Sequence, residues 1–459
     1  FEGTFCEALR RRPRMYAGLA ATWLLLAALM LGSSPGARGI GYGGDIGAWQ
    51  YALTESRAIV TYLRLAVWPS PLIFDYGPGG GTVHLGDVWL PVAAIGLLLA
   101  ATVLGLRRRW AGAFLAAAFF LILAPTSSFV PIVHQPVAES RMYLPLAAVS
   151  AALVLGVRAA ARRGTAPILI AAGLALAGLT VRRNGDFRDG LTLWGDTVAK
   201  RPGNVRARCQ LGEALRVAGD LRGAQAQFEA ALRIQPDYAA AHNDLGIVLS
   251  VDPAQLPAAL AHFEAALRVA PGAAPIHNNH GVALSQVHGR EANAQEEFRT
   301  AIRLEPGFAD AHKNLANLLI RLPGGGEEAV REYGEALRFS PGDADAHANL
   351  AFGLALTRSY GEAMRQCEAA LRLNPDHVRA HQIFGNILMQ LAGRTPEAIG
   401  HYRRAVALEP ASAHLWASLG LALVSTPAQR EEGIAALREA LKRDPNMKAA
   451  RDALDRIGK

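Results

Sequence analysis

The sequence predicts an all-α protein in two parts, a polytopic transmembrane helix bundle followed by an α-solenoid of helical hairpins. Two observations carry this. Up to about residue 182 the chain alternates long apolar stretches with short arginine clusters. From there on a proline closes almost every block of 34 or 35 residues: Pro202, Pro236, Pro271, Pro306, Pro341, Pro375, Pro410 and Pro445. A period of that length marks units that bury their apolar faces only by stacking on one another.

In the first part, residues 1–182, the candidate spans are Tyr16 to Leu31, Val88 to Leu106, Trp110 to Ala124, Tyr143 to Val157 and Ala166 to Val181. Each approaches the ~20 residues that cross a bilayer, some falling short. A sixth apolar segment, Arg57 to Trp68, carries Arg57 and Arg64 on a helical face and ends at Pro69 and Pro71, which suits an interfacial or re-entrant helix. Phe1 is not an initiator methionine, so the chain reads as a fragment that begins in a cytoplasmic loop. A secretory signal over Arg10 to Leu31 is the weaker reading, because four more spans follow and no small-residue cleavage site stands out.

Charge sets the orientation. Residues 1–202 hold 19 Lys+Arg against 10 Asp+Glu, whereas 203–459 hold 28 against 29. The net charge of +8 therefore comes from arginines flanking the membrane, which removes the case for nucleic-acid binding. Arg10, Arg11, Arg12 and Arg14, then Arg107, Arg108 and Arg109, then Arg158, Arg162 and Arg163 can all be cytoplasmic at once. The loops 32–87 and 125–142 and the repeat array then face the exoplasmic side of an integral membrane protein, although Arg182 and Arg183 argue the other way. High Ala, Gly and Arg with few Lys point to a bacterial source, hence the inner membrane with the array in the periplasm.

After a linker and lead-in helix at 183–202, the repeats occupy 203–445. Leu211, Gly212, Leu215, Ala224, Phe228, Ala231 and Pro236 recur as Leu245, Gly246, Leu249, Ala259, Phe263, Ala266 and Pro271, and again from Gly281 to Pro306. Small residues let two helices approach and the aromatic fills the gap. This is the tetratricopeptide (TPR) pattern, in seven repeats with a capping helix at 446–459. The step from Gly212 to Ala224 is one residue shorter than that from Gly246 to Ala259, so the extra residue belongs to the turn between helices. Pro257 and Pro396 fall near the start of a second helix, where a missing N–H costs little.

Cys6, Cys209 and Cys367 are too few and too scattered for a disulfide framework or a zinc site, and Cys367 takes the place of the repeat aromatic. Gly79–Gly81 and Gly324–Gly326 lack the Lys-Ser/Thr of a phosphate-binding loop. No cofactor or metal is expected. Two exoplasmic clusters hold polar chemistry: Trp68 to Tyr76, with Asp75 and Tyr76, and His134 to Pro145, with Glu139, Arg141 and Tyr143. A carboxylate, a guanidinium and phenols at the mouth of a bundle suit a lipid-linked phosphate. On spacing alone the favoured reading is simpler: Glu139 and Arg141 form an interfacial ion pair, with Tyr76 and Tyr143 in the aromatic belt.

The order of these motifs, from Tyr62–Leu65 through Trp68-Pro69, Asp75-Tyr76 and Glu139 to Pro145, then Leu193-Trp194 and the repeats, resembles the transmembrane-and-TPR protein O-mannosyltransferases and their bacterial relatives in the GT-C superfamily. The resemblance spans essentially the whole chain. It implies a glycosyltransferase that takes sugar from a polyprenyl-phosphate carrier, with the array holding a protein acceptor. It also implies a catalytic carboxylate upstream of Phe1, so no catalytic residue is named within this chain. Glu139 and Arg141 become the first candidates for the donor site, followed by Asp75, Tyr76, Tyr143 and His134. Ser140 separates Glu139 from Arg141 where the eukaryotic members join them. A non-catalytic membrane-anchored scaffold for protein partners is the alternative.

Two columns recur along the repeats. Asp244, Asn279, Asn314 and Asn349 return at 35-residue steps, and Asn243, Asn278, Asn317 and Asn386 lie close by. Side-chain amides both donate and accept, so a row of them suits a peptide backbone; polar residues on a solvated helix face would recur in the same way. His242, His277, His312, His347 and His381, with Trp416 in the same place, form the second column. Equivalent atoms in stacked helices lie about 10 Å apart, too far for one metal ion, so these residues read as packing.

Overall fold

The computed structural model describes residues 85–108, 110 and 189–458, with single positions between 53 and 64 and between 113 and 120. The spans expected at 16–31, 143–157 and 166–181 lie outside these residues, as do Asp75, Tyr76, His134, Glu139, Arg141 and Tyr143. All regular structure among the described residues is helical. It divides into two units, 1–236 and 237–459.

In the first unit, α1 (Leu85–Arg107) is 23 residues long. At 1.5 Å per residue it reaches about 34 Å, enough for a hydrocarbon core of about 30 Å. Its stretch Val88–Arg107 has a mean hydropathy of 2.2, and among the described residues it is the one helix long and apolar enough to cross a membrane. Trp89, Leu90, Leu97 and Leu104 are exposed along it, whereas Val88 packs on Leu53. The Thr102 hydroxyl donates back to the Leu98 carbonyl at 2.7 Å, which hides it inside an apolar helix. Of the segment expected at 110–124, only isolated helical positions are described.

The same unit holds α2 (Gly190–Lys200) and one hairpin, α3 (Val205–Val217) and α4 (Leu221–Ile234). Each helix starts on a side-chain cap: Asp189, Asn204 and Asp220 accept from the backbone of Thr192, Ala207 and Gly223.

The second unit repeats that hairpin six times: α5 (Ala239–Leu249) with α6 (Leu256–Val269), α7 (Ala274–Leu284) with α8 (Glu291–Leu304), α9 (Ala309–Leu319) with α10 (Gly326–Phe339), α11 (Ala344–Leu356) with α12 (Tyr360–Leu373), α13 (Val378–Leu388) with α14 (Thr395–Leu408), and α15 (Ala413–Val424) with α16 (Arg430–Arg443). A last helix, α17 (Lys448–Ile457), covers the end of the stack and packs Ala450 and Leu454 against Leu437 and Ala440.

Small residues set the helix spacing within each hairpin. A Cβ placed on Gly246 would lie 2.8 Å from the Phe263 ring, and one on Gly281 would lie 2.7 Å from Phe298. Both rings are fully buried. Each therefore contributes about 1.5–3 kcal/mol of apolar burial, packed against the bare backbone of its glycine. Interior residues run from Leu284 to Ala436 as one contiguous core. Turn length varies as the sequence spacing implies: α3 and α11 run to Val217 and Leu356 and turn within three residues, whereas α5, α7, α9 and α13 stop earlier and use six. A left-handed residue serves both lengths of turn, Gly289, Gly324 and Gly393 in three of the longer ones. Gly219 supplies it in α3–α4 at φ +86°, and Arg358 is forced into the same region at φ +62° in α11–α12.

Candidate functional site

The first helices of the hairpins bring the predicted amides together. Across α5, α7 and α9 they form one directed chain. Asn314 Nδ2 donates to Asn278 Oδ1 at 2.9 Å, Asn278 to Asn279 at 3.4 Å, Asn279 to Asn243 at 3.0 Å, and Asn243 to Asp244 at 3.0 Å. A carboxylate accepts and does not donate, so Asp244 fixes the direction of every amide behind it. Asn278 is buried, and the other members are half-buried.

The chain changes register at the next helix. Where α5 and α7 carry Asn243 and Asn278, α9 carries Lys313, whose ammonium is engaged with Asp343 at 2.7 Å and Asp310 at 3.2 Å. Asn349 therefore donates one helical turn further along, to Asn317 Oδ1 at 3.1 Å. Its own Oδ1 is buried without a hydrogen-bond partner.

Asn317 and Asn386 have a second employment that the sequence reading missed. Tyr333 and Tyr402 occupy the aromatic position of their hairpins, and each donates its phenol at 2.7 Å to the asparagine 16 residues earlier, Asn317 and Asn386 respectively. A buried hydroxyl needs such an acceptor. Burial pushes the Tyr333 phenol up to about 12, and raises that of Tyr402 as well, so both stay neutral donors. The signal was present in the sequence. Tyrosine replaces phenylalanine in the two repeats that carry asparagine at that spacing, whereas Phe298 has Val282 there.

The histidine column has a hydrogen-bonding duty beyond packing. His277, His312, His347 and His381 direct Nε2 at the carbonyls of Pro271, Pro306, Pro341 and Pro375, at 3.0–3.3 Å. Trp416 Nε1 reaches Pro410 in the same way at 2.9 Å, and in the first unit Arg208 Nε reaches Pro202 at 2.7 Å. The common property is one N–H aimed at the carbonyl of the proline that closes the preceding repeat. At the other ring nitrogen the partners differ. His312 Nδ1 meets Glu332 at 2.7 Å, His347 meets Gln366 at 2.7 Å, and His381 meets His401 Nδ1 at 2.9 Å. The bond to Glu332 raises the His312 pKa against the opposing effect of burial. Burial, reinforced by His381, lowers that of His401.

Among the described residues no group of three His, Cys, Asp or Glu is placed to hold a metal ion. Burial pushes the Cys367 thiol up to about 12, so at neutral pH it is a packing group. A shallow cleft of about 430 Å³ lies between the loops around Asp343 and Asp376. Its carboxylates are occupied: Asp343 by Lys313, Asp345 by His377 and Asp376 by Arg404.

The tetratricopeptide-repeat family matches residues 176–221, 209–274, 354–413 and 385–448. No curated protein matches the chain. Similar solved structures include a tetratricopeptide repeat protein from Parabacteroides merdae, 17% identical over 55% of this chain and 97% of its own, with a TM-score of 0.43. PilF of Pseudomonas aeruginosa is 21% identical over 46% of this chain and 94% of its own, with a TM-score of 0.41. YrrB, described as a TPR protein with an unusual peptide-binding site, is 21% identical over 41% of this chain and 95% of its own, with a TM-score of 0.33. On the matched residues and on the hairpins that carry them, this chain contains tetratricopeptide repeats.

Proposed function

We propose that the protein is an interaction scaffold whose repeats hold an extended segment of a protein partner along the amide row of α5, α7, α9 and α11. One observation carries this reading. Each amide inside the chain spends one N–H and one lone pair on its neighbours, which leaves one of each to offer outward. A peptide unit presents the complementary C=O and N–H whatever its side chain. Successive helices in a stack lie about 10 Å apart, close to three residues of an extended strand at about 3.3 Å each.

The test is binding of the full chain to an array of unrelated extended peptides, with Asn278, Asn314 and Asn349 replaced together by alanine. Three neutral hydrogen bonds at about 0.5–1 kcal/mol each predict an affinity loss of about 10- to 100-fold. Unchanged binding by a variant of native helicity would refute the assignment.

A membrane location is supported by α1, whose length and apolar surface fit a bilayer. The membrane glycosyltransferase reading, with a lipid-linked sugar donor at Glu139 and Arg141 backed by Asp75, Tyr76, Tyr143 and His134, rests on motif order alone. Its residues lie outside those described, and the family match covers repeats within 176–448. The scaffold reading is therefore the stronger of the two.

A further inference from the structure

The column of proline-bonded histidines is not uniform in what it asks of the proton. In α9–α10 the His312 ring stands between two acceptors, the Pro306 carbonyl at 3.1 Å and the Glu332 carboxylate at 2.7 Å, so the doubly protonated ring satisfies both. In α13–α14 the equivalent ring stands between the Pro375 carbonyl at 3.0 Å and another imidazole nitrogen, His401 Nδ1, at 2.9 Å. A carbonyl only accepts, so His381 Nε2 carries a hydrogen. The gap between the two Nδ1 atoms then has room for one hydrogen, not two.

We propose that the His381–His401 pair is an acid-sensitive latch, which ties α13 to α14 while a single proton occupies the gap and releases them when both facing nitrogens are protonated. One extra proton can enter without breaking the gap bond, at the outer nitrogen of His401, against the burial that lowers its pKa. A second must enter the gap, where it would face the hydrogen already there. Each histidine of an unfolded chain titrates near 6.5, so below that value the unfolded state binds more protons than the folded one. Stability of this hairpin is therefore present above pH 6.5 and falls as the pH drops, by up to about tenfold in the opening equilibrium per pH unit.

The surroundings do not supply a compensating charge. His401 is acted on by His381 across from it, by Glu397 and by Arg394. The carboxylate of Glu397 is already joined to the Arg394 guanidinium. On the other side of His401 the Phe384 ring stacks at 4.3 Å. The neighbouring helix α12 carries Glu362, Arg365, Glu368 and Arg372, and α15 carries His414. The hairpin α9–α10 responds in the opposite sense. The raised pKa of His312 means that its contribution is complete below pH 6.5 and is lost as the pH climbs through the folded value. Mild acid thus loosens α13–α14 relative to α9–α10 within one array.

Hydrogen exchange of the full chain at pH 7.5 and 5.5, corrected for intrinsic exchange rates, tests this directly. The expected result is a fall in the protection of α13 and α14 of at least about fivefold relative to α9 and α10. His401→Glu recreates the 20-residue His-to-carboxylate pairing of His312 with Glu332 and abolishes the fall. His401→Gln recreates the His347–Gln366 pairing, does the same, and keeps the test available if the glutamate variant does not fold. Equal protection ratios at the two pH values in the wild type, or an undiminished fall in whichever variant folds, would overturn the latch.

Discussion

A tyrosine in place of Phe298 tests whether the Tyr–Asn pairing is a rule of this array. Phe298 is 1% exposed, and its hairpin carries Val282 where the tyrosine-bearing hairpins carry Asn317 and Asn386. The hydroxyl of Phe298→Tyr would be delivered into an apolar contact with no acceptor, at a cost of about 1–3 kcal/mol. Adding Val282→Asn places an amide oxygen 16 residues upstream, the separation at which Tyr333 and Tyr402 bond at 2.7 Å. The double variant is therefore expected to recover about 1–2 kcal/mol of that loss as coupling energy. Repeat arrays do not unfold as one unit, so the readout is local: exchange protection of α7 and α8 amides in the full chain. The single variant should lower protection by about 5- to 100-fold, and the double should return most of it. As a control, Tyr333→Phe should cost only about 0.5–1.5 kcal/mol, because Asn317 keeps its bond from Asn349. A double variant no more protected than Phe298→Tyr alone would refute the pairing rule.

Two further substitutions probe the backbone of the repeat. Gly246→Ala gains about 1 kcal/mol of helix propensity but brings a methyl to within 2.8 Å of the buried Phe263 ring, so a net loss of about 1–2 kcal/mol is expected in the exchange protection of α5 and α6, relieved by Phe263→Leu. Arg358→Gly removes a left-handed arginine at φ +62° from a turn that Gly219 makes at φ +86°, and should stabilise α11–α12 by about 1 kcal/mol, seen as slower exchange there.

The hairpins were legible because their determinants are local and repeated. Gly246 faces Phe263 and Gly281 faces Phe298 at a constant offset, and the closing prolines mark each boundary. The amide row was legible for the same reason, since a fixed period aligns Asn279, Asn314 and Asn349 on successive helices. What period alone does not give is the partner of each side chain. Spacing groups Asn317 with the peptide-facing amides, yet its oxygen also takes a phenol from the second helix of its own hairpin. Lys313 breaks the register of the row because two aspartates draw it away, a contest between charge and amide that spacing does not reveal. The histidines read as packing because their shape replaces tryptophan. Shape does not reveal the N–H they share with Arg208 and Trp416, which serve the same kind of carbonyl.

That shared donor bears on how such a chain can change length. From His277 onward, each repeat presents an N–H at its front and a proline carbonyl at its rear, and the two halves of every joint are chemically interchangeable. Excision or duplication of one whole repeat would rejoin a donor to an acceptor without a mismatch, so gene rearrangements in multiples of the period leave the joints intact. The asparagines are not indifferent in the same way: duplicating the repeat that carries Lys313 would set a second Asn314 opposite Lys313, which offers no amide acceptor. Growth of the array is thus unconstrained at its seams and constrained along its amide row.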